Sequence, residues 1–168
     1  AHRGLTKQRN YGIERVGKEM EVVAFLDDDT VLEKEYVENL LAAYKSLPDA
    51  SGIGGVATNE NRWKLKEDKN YDPNYFYVFK DYVVSESARN VLRNKLGLAS
   101  QALPSIMPEY SHGKTFSYPL TGDNYPVDLL VGMSMSFRKK VVDAIKFSTY
   151  FEGYGLYEDA DYSIRALE

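Results

Sequence analysis

The chain has 168 residues, 43% of them hydrophobic and 27% charged, the balance of an ordinary globular domain. Its net charge of −4 excludes a general nucleic-acid binder, which needs a basic face. The absence of Cys excludes disulfides and Cys-based zinc sites and fits a reducing compartment, and no apolar run approaches the ~20 residues that span a bilayer.

Leu5 to Val16 is predicted as a helix, with Leu5, Tyr11, Ile13 and Val16 interleaved with Lys7, Arg9 and Arg15, and Gly17 as its stop. Val22 to Leu26 is short, rich in β-branched residues and free of alternation, so it is predicted as a buried strand. It runs directly into Asp27-Asp28-Asp29. In open α/β sheets ligands bind beyond the C-terminal ends of strands. Adjacent carboxylates repel, and a divalent cation or a positively charged partner would relieve that repulsion. Glu33 to Ser46 is predicted as a helix with Val37, Leu40, Leu41 and Tyr44 on one face, stopped by Pro48. Ser51 to Thr58 reads as a second buried strand, and the strand–helix–strand order predicts a right-handed crossover of a parallel sheet.

Residues 59–126 are polar, Tyr-rich and poor in clear strands. They hold the sole Trp, Trp63, and an aromatic stretch from Tyr71 to Tyr82. Ser85 to Leu96 is predicted as a helix with Ala88, Val91, Leu92 and Leu96 on one side and Arg89, Arg93 and Lys95 around the other. The span 99–126 carries four prolines and reads as loop, and a connection of that length inside a domain is usually functional. From Val127 to Phe137 a strand returns, half-buried because small polar and large apolar residues alternate over 132–137. A short helix from Arg138 to Lys146, an aromatic loop from Phe147 to Gly155 and a final helix opened by Glu158, Asp159 and Asp161 complete the chain. It begins at Ala1 without Met and ends within a helical pattern, so a fragment of a longer protein is expected.

Two acidic clusters stand out. Taken singly, each has a bland explanation: Asp caps helices, acids in a first turn complement the dipole, and Asp161 with Arg165 forms an i,i+4 pair. One cap needs one carboxylate, however, and Asp27-Asp28-Asp29 offers three.

Phe25-Leu26-Asp27-Asp28-Asp29 resembles the Asp-x-Asp motif of GT-A-fold glycosyltransferases, in particular the inverting family 2. Gly4 to Gly12, with Arg9-Asn10 and a Gly two positions on, is similar to the family's segment upstream of that motif. Gly132-Met133-Ser134-Met135-Ser136-Phe137-Arg138-Lys139 resembles its acceptor-side strand ending in an aromatic-Arg pair. Phe151 to Arg165, containing Glu158-Asp159 and a trailing Asp161 and Arg165, resembles its Glu-Asp motif. The four motifs stand in the family's order and cover about 1–58 and 127–168.

The resemblance implies an α/β fold with a mostly parallel or mixed sheet flanked by helices (GT-A, Rossmann-like), its first strands lying upstream of Ala1. The chain would be one partial catalytic domain, 1–168, with a variable acceptor-side insert at about 59–126. The implied reaction is inverting transfer of a sugar from a nucleotide-diphosphate sugar to a hydroxyl of a glycan, polysaccharide or lipid-linked sugar. Asp159 would be the general base. Asp29 would bind Mg²⁺ or Mn²⁺, Asp27 the metal shell or the ribose, and Asp28 would orient either. Arg9 and Asn10 would meet the nucleotide. Gly132, Met133, Tyr157 and Glu158 would lie at the acceptor, while Asp161 and Arg165 brace the helix. A further metal-ligating His of some members would lie beyond Glu168, and neither His2 nor His112 is at that position.

Residues 59–126 are then either an insert packing its aromatics on a core or an acceptor lid whose Trp63 and tyrosines stack on sugar. The basic helix around Arg89 to Lys95 adds a peripheral contact with an anionic membrane as a candidate partner, so the expected location is the cytoplasm or the inner membrane face. Two alternatives stay open. Asp27-x-Asp29-x-Val31 also fits the nucleophile motif of haloacid-dehalogenase-like phosphatases, although that leaves Arg9-Asn10 and Gly132 to Arg138 unexplained. The other is a non-catalytic cation- or carbohydrate-binding module.

Overall fold

Val22, Val23 and Phe25 favour extended backbone, and a strand, β1, runs Val22–Leu26 in the computed structural model, which describes residues 4–110, 113–114, 116–152 and 155–168. His2, His112, Gly153 and Tyr154 lie outside the described residues. The chain divides into two compact units, Ala1–Gly55 with Asp128–Glu168, and Val56–Val127.

The first unit is built on three strands, β1, β2 (Gly52–Gly54) and β6 (Ser134–Arg138), in the order β1-β6-β2. Val23 faces Phe137 and Phe25 faces Met135 across the β1–β6 ladder. The expected parallel pairing of the first two strands is not made. β6 lies between them and pairs antiparallel with both, so β1 and β2 share a direction without touching. The central place falls to β6 because it is buried on both faces. Met135 and Phe137 enter the core, while Ser134 and Ser136 point the other way and are also buried. The alternation of β6 therefore does not mark a wet face. The helix α2 (Tyr36–Ser46) covers the serines, and its Tyr36 and Tyr44 hydroxyls meet Ser134 Oγ at 2.7 Å and Ser136 Oγ at 3.0 Å. Buried hydroxyls are tolerated when they are paired in this way.

Two further expectations change. β1 alternates after all: Val23 and Phe25 point inward while Ala24 and Leu26 are exposed. In α2 the inward residue is Tyr44, and Val37 and Leu41 are exposed. Arg138 closes α2, donating from Nε to the Ala50 carbonyl and from Nη2 to the carbonyls of Tyr44 and Leu47. A cation there matches the negative end of the helix dipole.

The helices α1 (Leu5–Ile13), α4 (Lys139–Ala144) and α5 (Glu158–Arg165) complete the unit. The core joins Ile13, Val23, Phe25, Met135, Phe137, Val142, Phe147 and Tyr162. Phe147 stacks on Tyr162 with ring centres 4.0 Å apart and meets Phe25 edge-on at 5.2 Å.

The second unit contains an antiparallel sheet that the sequence did not suggest, β3 (Lys64–Leu65), β4 (Phe76–Phe79) and β5 (Tyr82–Ser85), ordered β3-β5-β4. Phe79 pairs with Tyr82 across a two-residue turn in which Lys80 takes φ +51°. A helix, α3 (Ala88–Lys95), follows, capped by the Ser87 side chain. Residues 99–126 form no helix or strand among the described residues. Among the described residues no helix is long and apolar enough to cross a membrane.

Candidate active site

Thr6, Arg9 and Ile13 follow the i, i+3, i+7 spacing of one helix face, and all three are buried in α1. A guanidinium on a buried face needs an anion. Arg9 finds one in Glu158: Nη1 lies 2.7 Å from Oε1, and the two side chains are only 8% and 5% exposed. Its Nη2 donates to the Gly132 carbonyl at 3.3 Å and stands 4.0 Å from Asp27 Oδ1. The guanidinium also sits 5.2 Å over the Phe147 ring. One cation thus links the end of β1, the turn before β6 and the start of α5.

Gly132 is the hinge of this arrangement. Its N–H donates to Asp159 Oδ2 at 2.9 Å, while Asp159 Oδ1 accepts from the Ala160 N–H at 2.8 Å. Each carboxylate oxygen keeps further lone-pair capacity. A Cβ at residue 132 would come within 3.2 Å of Arg9 Nη2 and 3.4 Å of both Asp159 Oδ2 and Glu158 Oε1. A side chain there would push these charged groups aside by a few tenths of an ångström, and glycine avoids that. Met133 adds a second stitch through its carbonyl, which accepts from the Asp27 N–H at 3.3 Å and from Thr30 Oγ1 at 3.4 Å. The two acidic clusters, distant in sequence, therefore meet around Gly132-Met133.

Tyr157 precedes α5 in the left-handed region, φ +67°, and the residue is 69% exposed. A non-glycine residue held there stores strain, which concentrates at functional sites. Ser163 does not stand out in the sequence. Its Oγ donates to the Asp159 carbonyl at 2.7 Å and accepts from the Leu130 N–H at 3.1 Å, tying the loop before Gly132 to α5. The signal available was its i,i+4 spacing from Asp159. Phe147, expected in a loop, is likewise a core residue that backs Arg9.

Asn10 makes two bonds to one residue, its Nδ2 donating to the Phe147 carbonyl and its Oδ1 accepting the Phe147 N–H, both at 2.9 Å. Arg9 and Asn10 thus each hold partners within the unit. Asp161 and Arg165 pair on α5, and Arg165 Nη1 also donates to the Lys146 carbonyl at 2.9 Å. Trp63 belongs to the second unit. Its indole N–H donates to the Ser117 carbonyl, and its ring meets Tyr77, Phe79 and Phe116 edge-on at 6.0, 6.3 and 5.6 Å.

Asp28 and Asp29 are exposed and make no side-chain bond among the described residues, and the Asp27 side chain is 46% exposed. Among the described residues no group of three or more His, Asp or Glu is arranged to hold a metal. The donor set is instead two or three accessible carboxylates. That suits a hard cation such as Mg²⁺, which takes one or two protein carboxylates and fills its shell with water and phosphate oxygens. It does not suit an all-protein cage.

Comparison with known proteins bears on the family of this chain. The profile of the family described as Glycosyl transferase family 2 matches residues 1–102. The match runs through the first part of the segment that the motifs alone left uncovered and stops before Gly132. A glucosyl-dolichyl phosphate glucuronosyltransferase of Haloferax volcanii is 29% identical over 77 residues, 46% of this chain. The match spans 23% of that relative's length. No solved structure matches.

Proposed function

Because this chain belongs to glycosyl transferase family 2, we propose that it is the catalytic part of an inverting enzyme that moves a sugar from a nucleotide-diphosphate donor to an acceptor hydroxyl. The observation that carries the proposal is the meeting of Asp27, Arg9, Glu158 and Asp159 around Gly132. Sugar transfer with inversion is a single displacement. The acceptor oxygen bonds to the anomeric carbon as the bond from that carbon to the diphosphate oxygen breaks. A base must take the acceptor's proton. Asp159 is assigned that role, its carboxylate aimed by the Gly132 and Ala160 N–H groups. Glu158 is neutralised by Arg9, which leaves Asp159 as the accessible carboxylate of the pair.

Asp27 and Asp29 would hold Mg²⁺ or Mn²⁺, with Asp28 orienting them. When bound, such an ion supplies positive charge to the departing diphosphate. Arg9 and Asn10 would meet the nucleotide and also position the site, since Arg9 holds Glu158 and the Gly132 carbonyl and Asn10 holds Phe147. Tyr157, exposed beside the base, and Gly132-Met133 would line the acceptor side. The relative's name joins glucuronosyl transfer to a glucosyl-dolichyl phosphate. On that name we favour a lipid-linked sugar as acceptor class. Family membership favours this chemistry over the phosphatase alternative.

The test is Asp159→Asn in the complete enzyme. Transfer should fall by at least about a hundredfold, the usual worth of a positioned base. Binding of the nucleotide sugar should persist. Transfer at a near-normal rate would show that another group takes the proton. A protein that binds cation and saccharide but transfers nothing, before any substitution, would favour the binding-module alternative.

A further inference from the structure

The helix α3 is turned inside out relative to its composition. Its inward side is fastened by asparagines: Asn94 Nδ2 donates to the carbonyls of Pro73 and Asn74 at 3.1 and 3.2 Å, and Asn90 Nδ2 donates to Glu86 Oε2 at 2.8 Å. Arg89, Leu92, Arg93 and Leu96 follow the i, i+3, i+4, i+7 spacing of a single face. Leu92 and Leu96 are 59% and 62% exposed. The helix ends in a Schellman motif, the Gly97 N–H donating to Asn94 and the Leu98 N–H to Arg93, with Gly97 at φ +68°. That turn folds Leu98, 56% exposed, back toward the end of the same helix. Three leucines are therefore left in water beside the exposed Arg89, with the half-buried Arg93 and with Lys95, held at the Tyr75 hydroxyl, nearby.

The charge pattern points the same way. From Ser87 to Pro108 there is no Asp or Glu, while the segment carries Arg89, Arg93 and Lys95, in a chain whose net charge is −4. We propose that this end of α3 is a peripheral docking face for an anionic lipid surface. Leu92, Leu96 and Leu98 enter the boundary between headgroups and acyl chains, and the arginines meet lipid phosphates. A second copy of the chain is the poorer occupant, because it would set one cationic face against another. The inference rests on the second unit alone and stands apart from the transferase reading.

The experiment is co-sedimentation of the chain with phosphatidylcholine vesicles, with and without phosphatidylserine as about a third of the lipid. Binding is expected with the anionic vesicles, weakening as salt is raised. The triple substitution Leu92→Ser, Leu96→Ser, Leu98→Ser should lower partitioning about tenfold or more. Circular dichroism and Trp63 emission, unchanged without lipid, would show that the variant is folded. Equal binding by parent and folded variant, or none by the parent at low salt, would overturn the proposal. So would parent self-association that the substitutions abolish, which reassigns the face to a second copy. If the triple variant does not fold, Leu96→Trp decides: its added indole should be quenched by brominated acyl chains in anionic vesicles, and no quenching overturns insertion.

Discussion

The two units solve the same problem with different materials. The first buries charge. Arg9 and Glu158 form an ion pair that is almost wholly out of water, placed where β1, the Gly132 turn and α5 converge. The second unit keeps its ion pairs at the surface, as in Lys80 with Asp123 at about half exposure each. Its interior is aromatic: Trp63 among Tyr77, Phe79 and Phe116, and Tyr118 stacked on Tyr125 at 4.2 Å. Aromatic packing is cheaper, because desolvating two charges can cost more than their attraction returns. Among the described residues the first unit accepts that cost at the point where both acidic motifs meet.

The largest test of this contrast is Arg9→Met. It strands the Glu158 carboxylate in a buried site, and the expected loss is about 3–5 kcal/mol of stability, read from the denaturant midpoint by circular dichroism. The double variant Arg9→Met, Glu158→Leu removes the orphaned charge and should recover most of that loss. If the proposed sugar transfer holds, that of the complete enzyme carrying both substitutions should nonetheless stay low, because nothing then holds the Gly132 carbonyl or faces Asp27. A double variant that is stable and fully active would show the ion pair to be dispensable, and its burial would then serve no catalytic purpose.

The same contrast explains what could be read from sequence. The strand Val22–Leu26 and its three carboxylates were legible because a short apolar run and adjacent acids are local signals. The start of α5 was legible for the same reason, with Glu158, Asp159 and Asp161 in one turn. The ion pair of Arg9 with Glu158 was not legible, because the partner lies 149 residues away and no local pattern marks a buried cation. The parallel pairing failed similarly: the strand that separates β1 from β2 arrives only at Ser134. The serines of β6 pass as solvent-facing because their satisfaction by Tyr36 and Tyr44 is tertiary. The β4–β5 hairpin had its signal in Phe76 to Phe79 and Tyr82 to Val84, but its Lys80-Asp81 turn lacks the Asn-Gly type of dipeptide that announces such turns. Hydrophobicity alone points Leu92 and Leu96 inward, whereas hydrogen bonds from Asn94 to the Pro73 and Asn74 carbonyls tie the other side of α3 to the unit.

A subtler test applies one substitution to both units. Tyr44 in the first unit shares its hydroxyl with Ser136 Oγ, which in turn donates to the Ile53 carbonyl at 2.6 Å. Tyr44→Phe breaks that chain and should cost about 1 kcal/mol. Tyr118 in the second unit has a buried hydroxyl with no hydrogen-bond partner among the described residues. Tyr118→Phe removes an unsatisfied group and keeps the stacked ring, so it should be neutral or stabilising by up to about 1 kcal/mol, followed by Trp63 emission. Alkaline pH gives the comparison a second axis. Burial raises both phenols above their ordinary value of 10.0, so each favours the folded state only while the unfolded tyrosine stays protonated. That stability is present below pH 10 and is lost as pH climbs toward the folded-state value. Phenylalanine does not ionise, so both variants should gain on the parent above pH 10, Tyr44→Phe recovering its neutral-pH deficit and Tyr118→Phe widening its advantage. Parallel loss in both variants at neutral pH would mean that the Tyr118 hydroxyl is as well satisfied as that of Tyr44, and the contrast between a bonded first unit and a ring-packed second would fail at that residue.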